Sequence, residues 1–141
     1  RDARRAVWEK FVRLAPGASL TSVCQATIGE IRETAEGAAL YRALVSEAVA
    51  VGRAAGVPFP GEAVDTALAF IQSLPSSMKT SMQRDYERRG RVELEALTGA
   101  VVRLGRHLGV PTPTFDLVYA ILRVRALSFG GVSDCEPEGG T

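Results

Sequence analysis

The stretch that decides the fold covers residues 80–113 and reads TSMQRDYERRGRVELEALTGAVVRLGRHLGVPTP. Its second half repeats apolar residues at the three- and four-residue spacing of one helix face, namely Leu97, Ala100, Val101, Leu104 and Leu108. This spacing predicts a helix over residues 92–108. Gly109 follows it, and two prolines stand shortly beyond, as is typical where a helix ends.

Glu93 is the residue of this stretch that most suggests a function. It precedes Leu97 by four residues, so the predicted helix places its carboxylate on the apolar face, while Glu95 would point towards solvent. A carboxylate on a buried face costs free energy unless a partner or ligand holds it. The alternative is that Glu93 merely begins its helix, where acidic residues are favoured.

Helical spacing continues outward from this stretch, and no segment alternates as a strand would. The further predicted helices span residues 2–15, 20–26, 33–55, 61–74 and 115–127. Pro16 and Gly17 predict the end of the first helix, and Leu117, Ile121 and Val124 predict the buried face of the last. The sequence therefore predicts an all-α domain of about six helices.

Composition excludes several classes of function. The 141 residues suffice for one domain with a real core, and a net charge of +1 argues against a nucleic-acid or membrane partner. One histidine and two distant cysteines make a metal site or a Ser–His–Asp triad a poor hypothesis. Because no membrane span or signal peptide is visible, we expect a cytoplasmic protein.

Lys10 is the counterpart of Glu93 in the first predicted helix. It lies on or beside the stripe formed by Val7, Phe11 and Leu14, so its ammonium should be near the core-facing side. The alternative is that its aliphatic stem lets the charge reach water. If Lys10 and Glu93 are partners in a cleft, the pair could donate a proton to a carbonyl oxygen.

Thr80 and Ser81 place two hydroxyls just ahead of this region, next to a candidate helix N-terminus. Such a position is suited to holding a substrate carboxylate. The alternative is a polar loop or a simple N-cap.

The ordered series of motifs resembles the C-terminal domain of ketopantoate reductases. It comprises TSMQRD at 80–85, RVELE at 91–95, Gly99, and GVPTP at 109–113, preceded by WEKF at 8–11. The resemblance extends from about residue 8 to residue 122. It implies an all-helical fold of the type seen in the C-terminal domain of 6-phosphogluconate dehydrogenase.

The resemblance also implies roles for particular residues. Ketopantoate reductases, or 2-dehydropantoate 2-reductases, reduce ketopantoate to pantoate with NADPH in pantothenate and coenzyme A biosynthesis. Lys10 matches the general acid that protonates the ketone oxygen, and Glu93 matches the glutamate that orients substrate and lysine. Ser81 matches the serine that contacts the substrate carboxylate, and Thr80 beside it is the second substrate-binding candidate.

The domain organisation follows from the same resemblance. In this family NADPH is bound mainly by an N-terminal Rossmann domain, and the active site lies between the two domains. We expect residues 1–127 to be the C-terminal catalytic and substrate domain and residues 128–141 a disordered tail, since they are rich in glycine, proline and acidic residues. The Rossmann domain is absent, so the isolated chain should be inactive.

Two positions depart from the family pattern. Asparagines stand four and eight residues after the lysine in better-known members, but this chain has Leu14 and Ala18 there. Losing two amides removes hydrogen bonds that would read the substrate. One alternative is therefore a reductase of another 2-oxo acid, and another is a non-catalytic helical interaction module. The expected partners are a small 2-oxo acid, the Rossmann domain and, as a further option, a second copy of the chain.

Overall fold

A computed structural model describes residues 3–133, and within them the chain is helical, with no strand. The helices are α1 (Ala3–Cys24), α2 (Ile28–Arg32), α3 (Ala35–Ala54), α4 (Ala63–Gln72), α5 (Ser81–Arg88), α6 (Thr98–Leu108) and α7 (Pro113–Ser128). The predicted all-α class is confirmed. Among these seven helices, none combines the length and the apolar character that crossing a bilayer would require.

Helix α1 is continuous where the sequence predicts a break. It runs through Pro16 and Gly17, so the predicted end at Ala15 and the separate helix over residues 20–26 are both wrong. Proline removes one backbone hydrogen bond from a helix interior. That loss is offset because every residue from Ala15 to Ser22 is buried, and packing there outweighs local propensity.

The core forms around α1, which contacts each of the other six described helices. The larger cluster joins α1 to α3, α4, α6 and α7, and includes Val12, Leu20, Leu44, Val45, Val101 and Phe115. A second cluster joins α1, α5, α7 and the segment before α6, and includes Ala18, Met82, Tyr86, Leu94 and Leu122. The second cluster positions the segment that carries Glu93.

The last two helices differ from the prediction in where they begin and which face they bury. Helix α6 begins at Thr98, so the predicted start at residue 92 is wrong. In α7 the predicted inner face is exposed, at Leu117, Ile121 and Val124, while Phe115, Val118, Leu122 and Ala126 are buried instead. Because α7 is apolar on two faces, periodicity alone could not choose between them.

Phe129, Gly131 and Val132, which follow α7, pack against the domain. Phe129 contacts the ring of Tyr86 edge to face, with centroids 5.8 Å apart. The Gly131 carbonyl accepts a hydrogen bond of 3.0 Å from the Val92 amide. Phe129 and Gly131, both within the predicted tail of residues 128–141, therefore make contacts with the domain. The remaining positions of the predicted tail, residues 134–141, lie outside the described residues.

Replacing Gly17 with alanine should destabilise the fold. A Cβ at this position would lie 2.7 Å from the Tyr41 hydroxyl oxygen, and Tyr41 is buried. Overpacking of this kind costs about 1–3 kcal/mol, which urea denaturation would measure. Gly61→Ala is the matched control, because nothing lies within 4 Å of its Cβ position. Equal midpoints for the two variants would contradict the predicted clash.

Stability should also fall at high pH. Burial raises the pKa of Tyr41 and of Tyr86 above their ordinary value of 10.0. As pH rises, these tyrosines therefore lose their phenolic protons in the unfolded chain before they lose them in the folded chain. Their contribution to stability is constant below the ordinary pKa of 10.0 and declines above it. Urea midpoints measured from about pH 8 to pH 11 should show this decline. A midpoint unchanged across the range would contradict it.

Candidate functional site

Lys10 lies on an exposed part of α1. The flanking Val7 and Leu14 are 67% and 48% exposed and Lys10 itself is exposed, so its inward placement is wrong, although Phe11 of the predicted stripe is partly buried against the core. The core-facing residue at this level is Val12. Within residues 3–133, the ammonium makes no side-chain hydrogen bond or ion pair. Lys10 is thus a charge on a partly apolar outer surface.

Glu93 is also exposed, which contradicts its predicted burial. It precedes α6, in a non-helical segment where Val92 and Leu94 on either side are buried. Two-residue alternation therefore replaces the helical periodicity that the sequence indicated. Glu93 lines a cavity of about 670 Å³ together with the turn at residues 130–133. No ion pair joins it to Lys10 within the described part of the chain.

Glu95, rather than Glu93, is the anchored carboxylate. Its Oε1 accepts a 2.7 Å hydrogen bond from the Tyr119 hydroxyl and lies 3.5 Å from an Arg123 nitrogen. Its Oε2 and its backbone carbonyl each accept a 2.7 Å bond from Arg103. These contacts tie the segment that carries Glu93 to α6 and α7. Sequence spacing gave no sign of them, because the partners lie 8 to 28 residues away.

The surroundings of Glu95 also change the pKa of the Tyr119 hydroxyl. Burial raises the pKa of its hydroxyl, and the hydrogen bond to Glu95 raises that pKa further. Loss of the phenolic proton would leave two anionic oxygens facing each other. The bond therefore persists throughout the neutral pH range.

Thr80 and Ser81 have different surroundings. The Thr80 hydroxyl accepts a 3.2 Å hydrogen bond from the backbone N–H of Gln83, so the N-cap alternative is confirmed for Thr80. The same hydroxyl lies 2.7 Å from the Thr21 hydroxyl. Ser81 is the exposed first residue of α5. Its side chain makes no hydrogen bond with residues 3–133. Of the two hydroxyls, that of Ser81 is the one accessible to a ligand.

The two departures from the family pattern lie in different environments. Leu14 is on the outer surface of α1, one helical turn beyond Lys10. Ala18 is buried in the second core cluster with Met82 and Leu122. The side chain at position 14 can therefore contact a ligand near Lys10, whereas the one at position 18 contributes to packing.

Comparison with known proteins shows the family. Residues 2–126 match the family model described as ketopantoate reductase PanE/ApbA, C-terminal. The chain belongs to this family. The 2-dehydropantoate 2-reductase of Mesorhizobium japonicum is 34% identical over 129 residues, which are 92% of this chain and 39% of that protein. The chain thus spans about two-fifths of the length of the curated relatives that it matches.

Solved structures agree with the fold of this C-terminal domain. The dimeric ketopantoate reductase of Staphylococcus aureus superposes with a TM-score of 0.85 at 30% identity, covering 90% of this chain and 44% of that one. The 2-dehydropantoate 2-reductase of Methylococcus capsulatus gives 0.79 at 33% identity, covering 88% and 42%. A D-mandelate dehydrogenase solved with NADH gives 0.80 at 16% identity, which shows a shared fold alone.

Glu95→Gln should destabilise the domain and loosen the Glu93 segment. The change removes the charge that Arg103 and Arg123 contact, at an expected cost of about 1–2 kcal/mol in unfolding free energy. Amide hydrogen exchange across residues 92–97 should also accelerate. Asp65→Asn is the control, since its ion pair with Arg42 is long and exposed. Equal effects of the two substitutions would contradict the anchoring role.

Proposed function

We propose that this chain is the C-terminal catalytic and substrate domain of an NADPH-dependent 2-dehydropantoate 2-reductase, which converts ketopantoate to pantoate in pantothenate biosynthesis. The observation that carries the proposal is the exposure of Lys10, one of only two lysines, whose ammonium has no ion-pair partner within residues 3–133. Family membership and the name shared by several relatives support it. A cytoplasmic location remains a prediction.

The chain would share the reaction with the rest of a longer protein. Within residues 3–133 there is no strand, and so no strand–glycine loop–helix unit to grip a dinucleotide. The cofactor would therefore be held mainly outside the described residues. When bound, NADPH supplies the hydride that reduces the ketone carbon. This chain would supply the proton and the groups that position the substrate.

Lys10 is the proposed general acid. As the ketone carbon accepts a hydride, negative charge develops on its oxygen, and the ammonium of Lys10 would transfer one proton there to complete the hydroxyl. The neutral amine would then recover a proton from solvent. Glu93 would accept hydrogen bonds from the substrate or the ammonium once the cleft is assembled. The anchors of Glu95 hold the segment on which Glu93 depends.

Ser81 is the proposed contact for the substrate carboxylate. Its hydroxyl is exposed at the start of α5, where backbone amides add a favourable partial charge for an anion. Thr80 was predicted as a second contact. Its capping bond and its bond to Thr21 instead favour a role in fixing the position of Ser81.

A second candidate function is reduction of a different 2-oxo acid. Leu14 presents an apolar side chain one turn from Lys10. The asparagine of better-known family members at this position would hydrogen-bond to a substrate hydroxyl. This replacement favours a substrate with an apolar group at that point. A panel of 2-oxo acids assayed beside ketopantoate would distinguish the two functions by their kcat/KM values.

The non-catalytic module and the homodimer also remain predictions. The exposed face of α7, formed by Leu117, Ile121 and Val124, offers apolar area for association with another polypeptide. The Staphylococcus aureus relative is dimeric. If a folded full-length protein bound NADPH but reduced no 2-oxo acid, the module would be the better explanation.

Lys10→Ala in the full-length protein should lower kcat for 2-oxo acid reduction by at least about 100-fold, the lower limit for losing a positioned general acid. Stability should change by no more than about 0.5 kcal/mol, because the side chain is exposed. Lys79→Ala is the matched control, since Lys79 is the other lysine and pairs with Glu87 at 2.9 Å. Near-normal kcat in the Lys10 variant would refute the assignment.

A further inference from the structure

A second cavity has none of Lys10, Glu93 and Ser81 among its lining residues. It has a volume of about 400 Å³ and opens where the C-terminal ends of α1 and α7 meet α5. Its lining residues are Ser22, Gln25, Gln83, Tyr86, Glu87, Arg89, Arg125, Ser128 and Phe129. Sites for small metabolites in proteins are commonly of this size.

Two polar side chains in the cavity wall are buried without partners. Ser22 is 1% exposed and Gln83 is 2% exposed. Within residues 3–133, neither the Ser22 Oγ nor the Gln83 Oε1 makes a hydrogen bond. Folded proteins rarely leave such atoms unsatisfied, because their desolvation is then uncompensated. Both residues line the same cavity, so a polar occupant of that cavity would lie next to them.

The wall also presents two guanidinium groups. Arg125 donates a 3.0 Å bond to the Ser22 carbonyl and lies 5.0 Å from the Tyr86 ring centroid, so its position is fixed. Arg89 lies 5.7 Å from the ring centroid of Phe129 on the same wall. A planar guanidinium held in this way has further N–H groups available for an oxyanion.

The charge balance of the lining favours an anion. Among the described residues that line the cavity, Glu87 is the one carboxylate, and the Lys79 ammonium pairs with it at 2.9 Å. The two arginines therefore outweigh it. At the same time, an amide oxygen that lacks a donor requires an N–H or O–H group from the occupant.

We propose that this cavity binds a small organic anion, a carboxylate or a phosphate monoester, that also carries a hydroxyl or N–H group. Arg125 and Arg89 bind the anionic end. Gln83 Oε1 accepts a hydrogen bond from the hydroxyl or N–H group, and the Ser22 hydroxyl completes the contact. None of the residues proposed to act in the reduction lines this cavity, so the inference does not rest on the proposed function.

Glycerol 3-phosphate is the probe, because it combines a phosphate with hydroxyl groups. Calorimetric titration of the full-length protein should show binding with a Kd of about 1 mM or below. Inorganic phosphate, which lacks the hydroxyl groups, should bind more weakly, and glycerol should not bind. Equal affinity for phosphate and glycerol 3-phosphate would overturn recognition of the hydroxyl.

Substitutions then locate the binding. Gln83→Leu and Arg125→Met should each raise the Kd at least about tenfold, whereas Arg106→Met on α6, outside the cavity, should leave it unchanged. Gln83→Leu removes a polar group that has no partner, so this variant should fold and remains decisive if Arg125→Met does not. No binding by the unaltered protein, or binding unaffected by Gln83→Leu, would overturn the proposal.

Discussion

The continuity of α1 through Pro16 is the constraint on which the remaining structure depends. Beyond that proline, two buried hydroxyls on the helix each contact a hydroxyl from a distant part of the chain. Ser19 lies 2.7 Å from Thr98, the first residue of α6, and Thr21 lies 2.7 Å from Thr80, the cap of α5. Ser19 and Thr21 each donate to a carbonyl within α1, so each can accept from its partner. A helix that ended at Pro16 would leave both of these later helices without a fixed starting point.

The fold class could be predicted because helical periodicity is strong over most of the chain. Helices α3 and α4 lie within their predicted spans, since apolar spacing and stop signals agree there. The predictions failed where local signals opposed tertiary packing, as at Pro16 and Gly17, or where they did not discriminate, as on the two apolar faces of α7. Neither the continuity of α1 nor the buried face of α7 can be deduced from the sequence of that helix alone, because each depends on the surface of the domain against which the helix packs.

The candidate site, like the fold, was predicted correctly only in part. The residue types and their order, read from the sequence, indicated a ketopantoate reductase domain, and the family is shown. The geometry around Glu93 and Glu95 was predicted the wrong way round, with the exposed carboxylate assigned to the core and the anchored one to solvent. The error arises because α6 begins at Thr98 rather than at residue 92. Thr98 is held by a contact with Ser19, which lies 79 positions away in the sequence. Apolar spacing within one segment carries no information about a bond of that range.

The turn that follows α7 has a consequence for recombinant work on this domain. Gly131 supplies the acceptor for the Val92 amide, and Phe129 covers one edge of Tyr86. Truncation directly after Ser128, where the last helix ends, would remove the Gly131 contact from the segment that precedes α6 and the Phe129 contact from α5. A shortened version that is meant to preserve the surroundings of Glu93 therefore has to extend at least to residue 133. Contacts that belong to the domain therefore continue past the end of the last helix.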